Sequence, residues 1–488
     1  MSLTTTTTGT TAEDLLTQNG TTARAVSSIP SDLSKTSTSS SILHASLKSN
    51  PSQIISAKGN YITTSTGQKI FDATGGAAVA CLGHSHPRVR KAILKQLDSV
   101  AYVYSPFFST PASEALAAKL VASTEGEMTK AFIVSSGTEA VEAALKLARQ
   151  YFLELPVPQA ERVNFIARKQ SYHGNTLGAL GVGSHVARRK MYAPLLSGNT
   201  AHISPAHVYR GLQDNREEEG AYVARLLKEV EDEFLRLGPD TVCGVVVETM
   251  AGLTLGAVPP PKGYIAGLKA WCVEHGALLI LDEVMCGMGR TGSLHAWQQE
   301  EGDAVPHLQT VAKGLGAGYQ PIGALLVNRS VVEVLERGTG SFVHSQTYQG
   351  HPVACAAALE VQNVIEEERL VENVKTLGTY LGSELERRLG AHPNVGDIRG
   401  RGFLWGIEFV QNKQIKDPFP ASRKLAAQLH AVGMSPGFDI SLLPGGGVAD
   451  GTNGDVIVVA PAYNCSREDV EFIVEKMVKV IEEVLEPI

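Results

Sequence analysis

Hydrophobic and polar positions divide the chain into stretches of different period. Residues 1 to about 45 have none: TTTTTGTT and SKTSTSSS are too polar to bury a core, which predicts a disordered N-terminal arm. Two alternating runs follow in SNPSQIISAKGNYITTSTGQKIFDATGG, split by Ser-Thr-Gly, and predict a β-hairpin. HPRVRKAILKQL has apolar residues at 89, 93, 94 and 97 behind Pro87, a helical stripe with proline in its first turn. STPASEALAAKLVAS repeats the device, with Ser109 or Thr110 as cap and Pro111 just inside.

From about residue 130 the period changes. The apolar runs AFIV, NFIAR, VCGVVVE and ALLILD alternate with helical patterns such as EAVEAALKLARQYFLEL, YVARLLKEVEDEFLRL and GYIAGLKAWCVEH. Strands apolar on both faces, separated by helices, predict a mostly parallel sheet covered on both sides. Beyond 345 the helix HPVACAAALEVQNVIEEE, the short strands GDIRGRG and FLWGIEFV, an irregular Gly-rich patch LLPGGGVADGTNGD, the strand VIVVAP and a closing amphipathic helix follow. The expected organisation is α/β: an arm at 1–45, one part of a small α+β domain at 46–110, a large ligand-binding domain at 111–344, and the rest of the small domain at 345–488.

Length supports two domains, because 488 residues exceed what one ordinary core organises. The net charge of −7 is spread along the chain without a basic cluster, which argues against a nucleic-acid partner. No apolar run approaches the roughly eighteen residues of a membrane span. The six cysteines form neither CxxC pairs nor a Cys/His cluster, so no disulfide framework, zinc site or other metal site is expected. With no secretory leader, and with Glu13 and Asp14 weakening a transit-peptide reading of the arm, a cytoplasmic location is the expectation.

The chemistry starts at Lys313. It sits in TVAKGLGAGYQPIGA, with Asp303 and Arg329 as its nearest charged neighbours in sequence, so its amine is expected to be partly desolvated and neutral more often than usual. In an open parallel sheet ligands bind at the carboxyl ends of strands. There the chain places Glu248, Asp282 with Glu283, the group Ser135, Ser136, Gly137 and Thr138, and the pair Tyr172 and His173. Each has a plain reading: SSGTEA as an ordinary helix cap, Asp282 as a cap or a partner for Arg290, Tyr172 and His173 as core residues with satisfied tips. Together they suit one ligand, a planar cation bearing a phosphate and an aldehyde. That is pyridoxal phosphate, with Lys313 as its Schiff-base partner, Asp282 on the ring nitrogen, the helix start at Ser136 to Thr138 on the phosphate, and Tyr172 stacked on the ring.

SSGTEA, SYHG, ILDEVMCGMGRTG, TVAKGLGAGYQPIGA and TYQGHP occur in an order and spacing that resemble the class III pyridoxal-phosphate-dependent aminotransferases of fold type I, the ornithine, GABA and ω-amino acid transaminase group, over about residues 50 to 485. The resemblance implies Lys313 as proton shuttle, Asp282 on the pyridine nitrogen, Val284 on the ring face, and Gly137 and Thr138 on the phosphate. It also implies a homodimer in which Thr347 contacts the neighbouring subunit's phosphate, and an amine or amino acid donor with a 2-oxo acid acceptor. Arg399 matches an arginine that binds a substrate carboxylate, with Arg401 as competitor and a structural ion pair as the alternative for either. Tyr104, Phe107 and Phe108 fall where relatives place substrate-facing aromatics, although core packing is expected for at least one of them.

Departures from the family pattern bear on the substrate. Thr249 follows Glu248 where proline is common, AGLTLGAVPP lacks the glutamate of ornithine-type enzymes, and Met285 replaces a glutamine. Other readings compete. GMGRTG at 287–292 fits a dinucleotide fingerprint, a binding scaffold would keep the fold without the chemistry, and an aminomutase or decarboxylase would use the same cofactor residues.

Overall fold

In the computed structural model residues 40–213 and 216–485 are described, so the predicted arm lies outside the described residues up to position 39. The described residues from 54 onward form one compact unit, and 40–53, which belong to another, carry no helix or strand. No helix among the described residues is long and apolar enough to cross a membrane.

The first alternating stretch makes three strands, β1 (Ile54–Lys58), β2 (Tyr61–Thr64) and β3 (Lys69–Asp72). The expected hairpin around Ser65-Thr66-Gly67 is the antiparallel β2–β3 pair. A second tight reversal at Gly59 and Asn60 folds the preceding run back as β1, a turn hidden inside what reads as one strand. The helix Pro87–Ser99 buries Val89 but leaves Leu94 and Leu97 about half exposed. The helix Pro111–Ala122 starts as its sequence directs, with the Thr110 hydroxyl accepting from the Ser113 N–H.

Seven strands then build the central sheet: β4 (Met128–Val134), β5 (Asn164–Arg168), β6 (Thr200–Ile203), β7 (Val242–Glu248), β8 (Leu278–Asp282), β9 (Leu308–Val311) and β10 (Gly323–Asn328), in the order β4-β10-β9-β8-β7-β5-β6. All pairs are parallel except those of β10, which runs antiparallel to β4 and β9. Alternate residues go to opposite cores. Val246, Leu278 and Ile280 pack under the helix Gly137–Leu153, whereas Val245, Val247, Leu279 and Leu281 pack against Glu219–Leu237 and Tyr264–Glu274. Burial on both faces is why these strands read as continuous apolar runs.

The chain closes with β11 (Val395–Arg401), β12 (Leu404–Asn412), β13 (Asp417–Pro418), β14 (Ile440–Ser441), β15 (Leu443–Gly446) and β16 (Asp455–Val459). β11, β12, β16 and β15 form an antiparallel sheet backed by the helices Leu370–Leu389 and Arg467–Val484, while β14 pairs in parallel with β3 and so joins residues from both ends of the chain in one sheet. The front of the Gly-rich patch, expected to be irregular, is the strand β15. Its glycines fit there because a Cβ on Gly445 would stand 2.7 Å from Val456 Cγ1 of the paired strand.

Candidate active site

Parallel pairing brings the strand ends into register. Glu248 closes β7 beside Asp282 of β8, and Asp282 lies beside Thr310 of β9, three residues before Lys313. These ends form the floor of a cavity of about 800 Å³ that is also lined by Ser135 to Thr138, Tyr172, His173 and Val284.

Lys313 emerges from a tight turn, Lys313–Leu315, with φ at +42°, a left-handed conformation that costs a non-glycine residue energy and is tolerated where surroundings enforce it. The buried Gln362 amide enforces it, donating to the carbonyls of Gly314 (3.0 Å) and Leu315 (2.9 Å). Enclosure by protein lowers the Lys313 ammonium pKa from its ordinary value, against the pull of Asp282 and Glu248.

Asp282 is buried and accepts three hydrogen bonds. Its Oδ1 accepts from the Val284 N–H (3.0 Å) and the Thr310 hydroxyl (3.3 Å), and its Oδ2 accepts from His173 Nδ1 at 2.8 Å. A carboxylate only accepts, so Nδ1 carries the proton and His173 Nε2 is the free ring nitrogen. Nε2 and Glu248 Oε2 are both buried without a hydrogen-bond partner among the described residues. Burial raises the Glu248 pKa, while His173 and Arg168 pull it down. Arg290 is not the partner of Asp282: its guanidinium donates to the carbonyls of Pro461 (2.5 Å) and Phe403 (3.2 Å). Next to Asp282, Glu283 accepts from the Thr249 hydroxyl, the N–H groups of Ala296 and Trp297, and Gln309 Nε2; burial nevertheless pushes it up to about 7.

The start of the helix Gly137–Leu153 forms the opposite side. Both readings of SSGTEA hold locally. The Ser136 hydroxyl caps the helix by accepting from the Glu139 N–H (3.3 Å), and Glu139 reaches back to the Ser135 N–H (2.8 Å). The first-turn N–H groups of Gly137 and Thr138 have no intrahelical acceptor and are available to an anion. A Cβ on Gly137 would stand 2.7 Å from Val284 Cγ1, so glycine is what lets the helix start approach Val284. The Thr138 hydroxyl accepts from the N–H groups of Asn175 (3.1 Å) and Thr176 (3.3 Å), which ties the loop after Tyr172 and His173 to the cradle.

Other expected residues are not brought to this cavity. Arg399 is buried with its guanidinium committed: Nη1 to Glu408 (2.7 Å) and Asp397 (2.8 Å), Nε to the Gly256 carbonyl (2.9 Å) and Nη2 to that of Leu255. The segment AGLTLGAVPP, which lacks an acid, thus supplies carbonyls, and Glu408 of β12 supplies the countercharge. Arg401 pairs with Glu300 at 2.7 Å, so the structural ion pair is what the geometry shows for both arginines. Tyr104, Phe107 and Phe108 are exposed, 43%, 76% and 62%, on a stretch between two surface helices. They touch one another and not the cavity, and none packs in the core, contrary to expectation. Thr347 is exposed outside its own chain's cavity, its carbonyl accepting from Tyr102. GMGRTG runs through turns and opens no helix, which removes the support for a dinucleotide site.

The structure adds residues that the sequence did not single out. Gln320, Leu443 to Gly446 and Arg188 also line the cavity, and the Arg188 guanidinium stands 5.0 Å from the centre of the Tyr172 ring. A doublet VARRK in a polar stretch carries no signal that separates one arginine from the other.

These groups fit a phosphorylated aldehyde on a cationic ring: a desolvated amine, a buried acid, an anion cradle and unpartnered polar atoms facing one space. Comparison with known proteins agrees. A family model described as Aminotransferase class-III matches residues 45–481. An aminotransferase of Gibberella zeae is 50% identical over 436 residues, 89% of this chain and 84% of its own length. An uncharacterized aminotransferase of Schizosaccharomyces pombe is 42% identical over 440 residues, 90% of this chain and 94% of its own. The PLP-bound crystal structure of an amine transaminase from an uncultivated Pseudomonas species superposes with a TM-score of 0.83 at 28% identity, over 91% of this chain and 97% of that one. The chain therefore belongs to the class III aminotransferases of fold type I, which work with pyridoxal 5′-phosphate.

Proposed function

We propose that this chain moves an amino group from a primary amine or amino acid to a 2-oxo acid, using Lys313 as both covalent anchor and proton carrier. The observation that carries this reading is the meeting of Lys313, Asp282 and the Gly137 helix start in one cavity. When bound, pyridoxal phosphate supplies an aldehyde that condenses with amines and a cationic ring that takes up the electron pair left when the donor carbon loses its proton. Burial keeps Lys313 Nζ disposed to the neutral form, which can attach to a carbonyl and, once displaced, can carry a proton. General acid–base transfer of this kind contributes about 10²–10⁴-fold.

Asp282 would hold a proton on the ring nitrogen, with His173 and the Val284 N–H fixing its orientation. Gly137 and Thr138 would bind the phosphate, Val284 and Tyr172 would bracket the ring, and Glu248 would complete the polar floor. The 28%-identical amine transaminase, together with the apolar Met250, Leu253 and Met285 on the cavity wall, supports donors that carry the amine away from a carboxylate. We place the chain in a homodimer. Leu94, Leu97, Phe107, Phe108 and Tyr348 are each exposed apolar side chains that a second copy would cover, with Thr347, Phe107 and Phe108 then serving the partner's cavity.

A donor panel tests the reading. Cofactor-loaded protein is mixed with one amine or amino acid at a time, and the products are scored for carbonyl compound, released CO₂ or internally shifted amine. Carbonyl product with the cofactor left in its amine form supports transamination. CO₂ or a shifted amine in its place refutes it in favour of a decarboxylase or an aminomutase.

A further inference from the structure

With Asp282 taken by the ring nitrogen, an acceptor carboxylate entering this cavity still lies in a pocket lined by the buried Glu248 and needs a cation of its own. The nearby arginines are spoken for. Arg168 donates through Nη2 to the Glu248 carbonyl (2.5 Å), Arg189 through Nη1 to the carbonyls of Leu180 (2.9 Å), Gly181 (2.7 Å) and Gly183, and Arg399 is held by Glu408 and Asp397. His173 is bonded to Asp282, and burial together with Arg188 beside it lowers the pKa of the half-buried His185. Lys313 is reserved for the chemistry.

Arg188 differs from all of these. It lines the cavity and is exposed, and its side chain makes no hydrogen bond or ion pair among the described residues; its guanidinium lies over the face of Tyr172 at 5.0 Å, with His185 nearby. A guanidinium lying over an aromatic face keeps its N–H edge free for a two-pronged bond to a carboxylate. Its backbone is held as well. The short helix Val186–Arg189 ends where Arg189 grips the Leu180–Gly183 carbonyls, and Val186 Cγ2 lies 2.6 Å from where a Cβ on Gly451 would be, so the Gly-rich loop is packed against this turn. That loop is itself anchored by Gln170 Nε2 to the Gly447 carbonyl at 2.8 Å.

We propose that Arg188 is the specificity-determining residue that receives the carboxylate of the 2-oxo acid acceptor and of any carboxylate-bearing donor. This assignment rests on the transaminase reading above. Arg188 leaves the Tyr172 face, or tilts upon it, to take both carboxylate oxygens, while the apolar wall takes the remainder of the substrate.

The test uses holoenzyme converted to the amine form of its cofactor and two acceptors, pyruvate and butanal, which share a carbonyl but not a carboxylate. Arg188→Met should lower the ratio of kcat/KM for pyruvate over butanal by about 10–100-fold, mainly through KM, and Arg188→Lys should recover part of it. Calorimetric binding of propionate, which has the carboxylate and no carbonyl, should weaken by a similar factor in Arg188→Met. An unchanged ratio with unchanged propionate binding overturns the assignment, and so does an equal fall for both acceptors, which is the mark of a structural role. A holoenzyme that no amine or amino acid donor converts to the amine form refutes the transaminase reading itself, a result distinct from either of these.

Discussion

The buried cluster around Arg399 can be tested by Glu408→Gln. Glu408 is completely buried and faces Arg399 Nη1 at 2.7 Å, Arg210 Nε at 2.5 Å and His207 Nε2 at 3.7 Å. Burial alone would raise its pKa, but Arg399, the His207 contact and Arg210 outweigh burial and hold it down to about 2, against an ordinary 4.5. At about 1.4 kcal/mol per unit the depression corresponds to about 3 kcal/mol of stability from the ionised carboxylate. An independent figure comes from leaving buried guanidinium charge short of its counterion, about 3–5 kcal/mol. Arg399 keeps Asp397 and two carbonyls in the variant, which favours the lower end, about 3 kcal/mol. The pH dependence has a definite sign. A carboxylate with a depressed folded pKa stabilises fully above the unfolded value of about 4.5 and loses that contribution as pH falls through about 2. Urea unfolding at about pH 7 and about pH 3 should therefore show a wide gap between wild type and variant that narrows on acidification. A loss below about 1 kcal/mol at neutral pH, or a gap that widens in acid, would refute the account of this cluster and with it the claim that Arg399 is structural.

Two further outcomes follow from packing. A Cβ on Gly378 would come within 2.3 Å of the Gly402 carbonyl oxygen and 2.4 Å of its carbon, backbone atoms that cannot step aside, whereas a Cβ on the exposed helical Gly220 meets nothing within 4 Å. Gly378→Ala should thus destabilise by about 1–3 kcal/mol or more, while Gly220→Ala should be neutral or stabilising by up to about 1 kcal/mol, as read from melting curves; equal effects would contradict the packing. All six cysteines are buried, and burial pushes Cys81, Cys243, Cys272 and Cys355 up to about 12. A thiol reagent at about pH 8 should then label no cysteine in native protein and every one after unfolding, and rapid labelling of any native thiol would contradict the burial.

What the sequence could reveal followed from how local the cause was. Asp282 and Glu248 stand out because an acid directly after an apolar strand needs a reason, and parallel register then carries both to one cavity. Lys313 stands out because small and apolar residues flank it in sequence, and the fold then brings it to Asp282 and Glu248 in one cavity. The role of Arg399 was not legible, because its acid comes from β12 across the strand pair and its remaining acceptors are backbone carbonyls of a distant loop. Arg188 was hidden for the reverse reason: Arg189 is consumed by carbonyls that nothing in the doublet announces, which leaves its neighbour free. Core packing of at least one of Tyr104, Phe107 and Phe108 was a reasonable expectation, since aromatic side chains usually find cover, yet all three are exposed in the described chain.

Reduction of the protein saturated with pyridoxal phosphate by borohydride, followed by peptide mapping, addresses the central assignment most directly, because it converts the bond between amine and aldehyde into a permanent mass label. The account predicts a single pyridoxyl label, on Lys313; protein that carries none there, or carries it on another lysine, would contradict it.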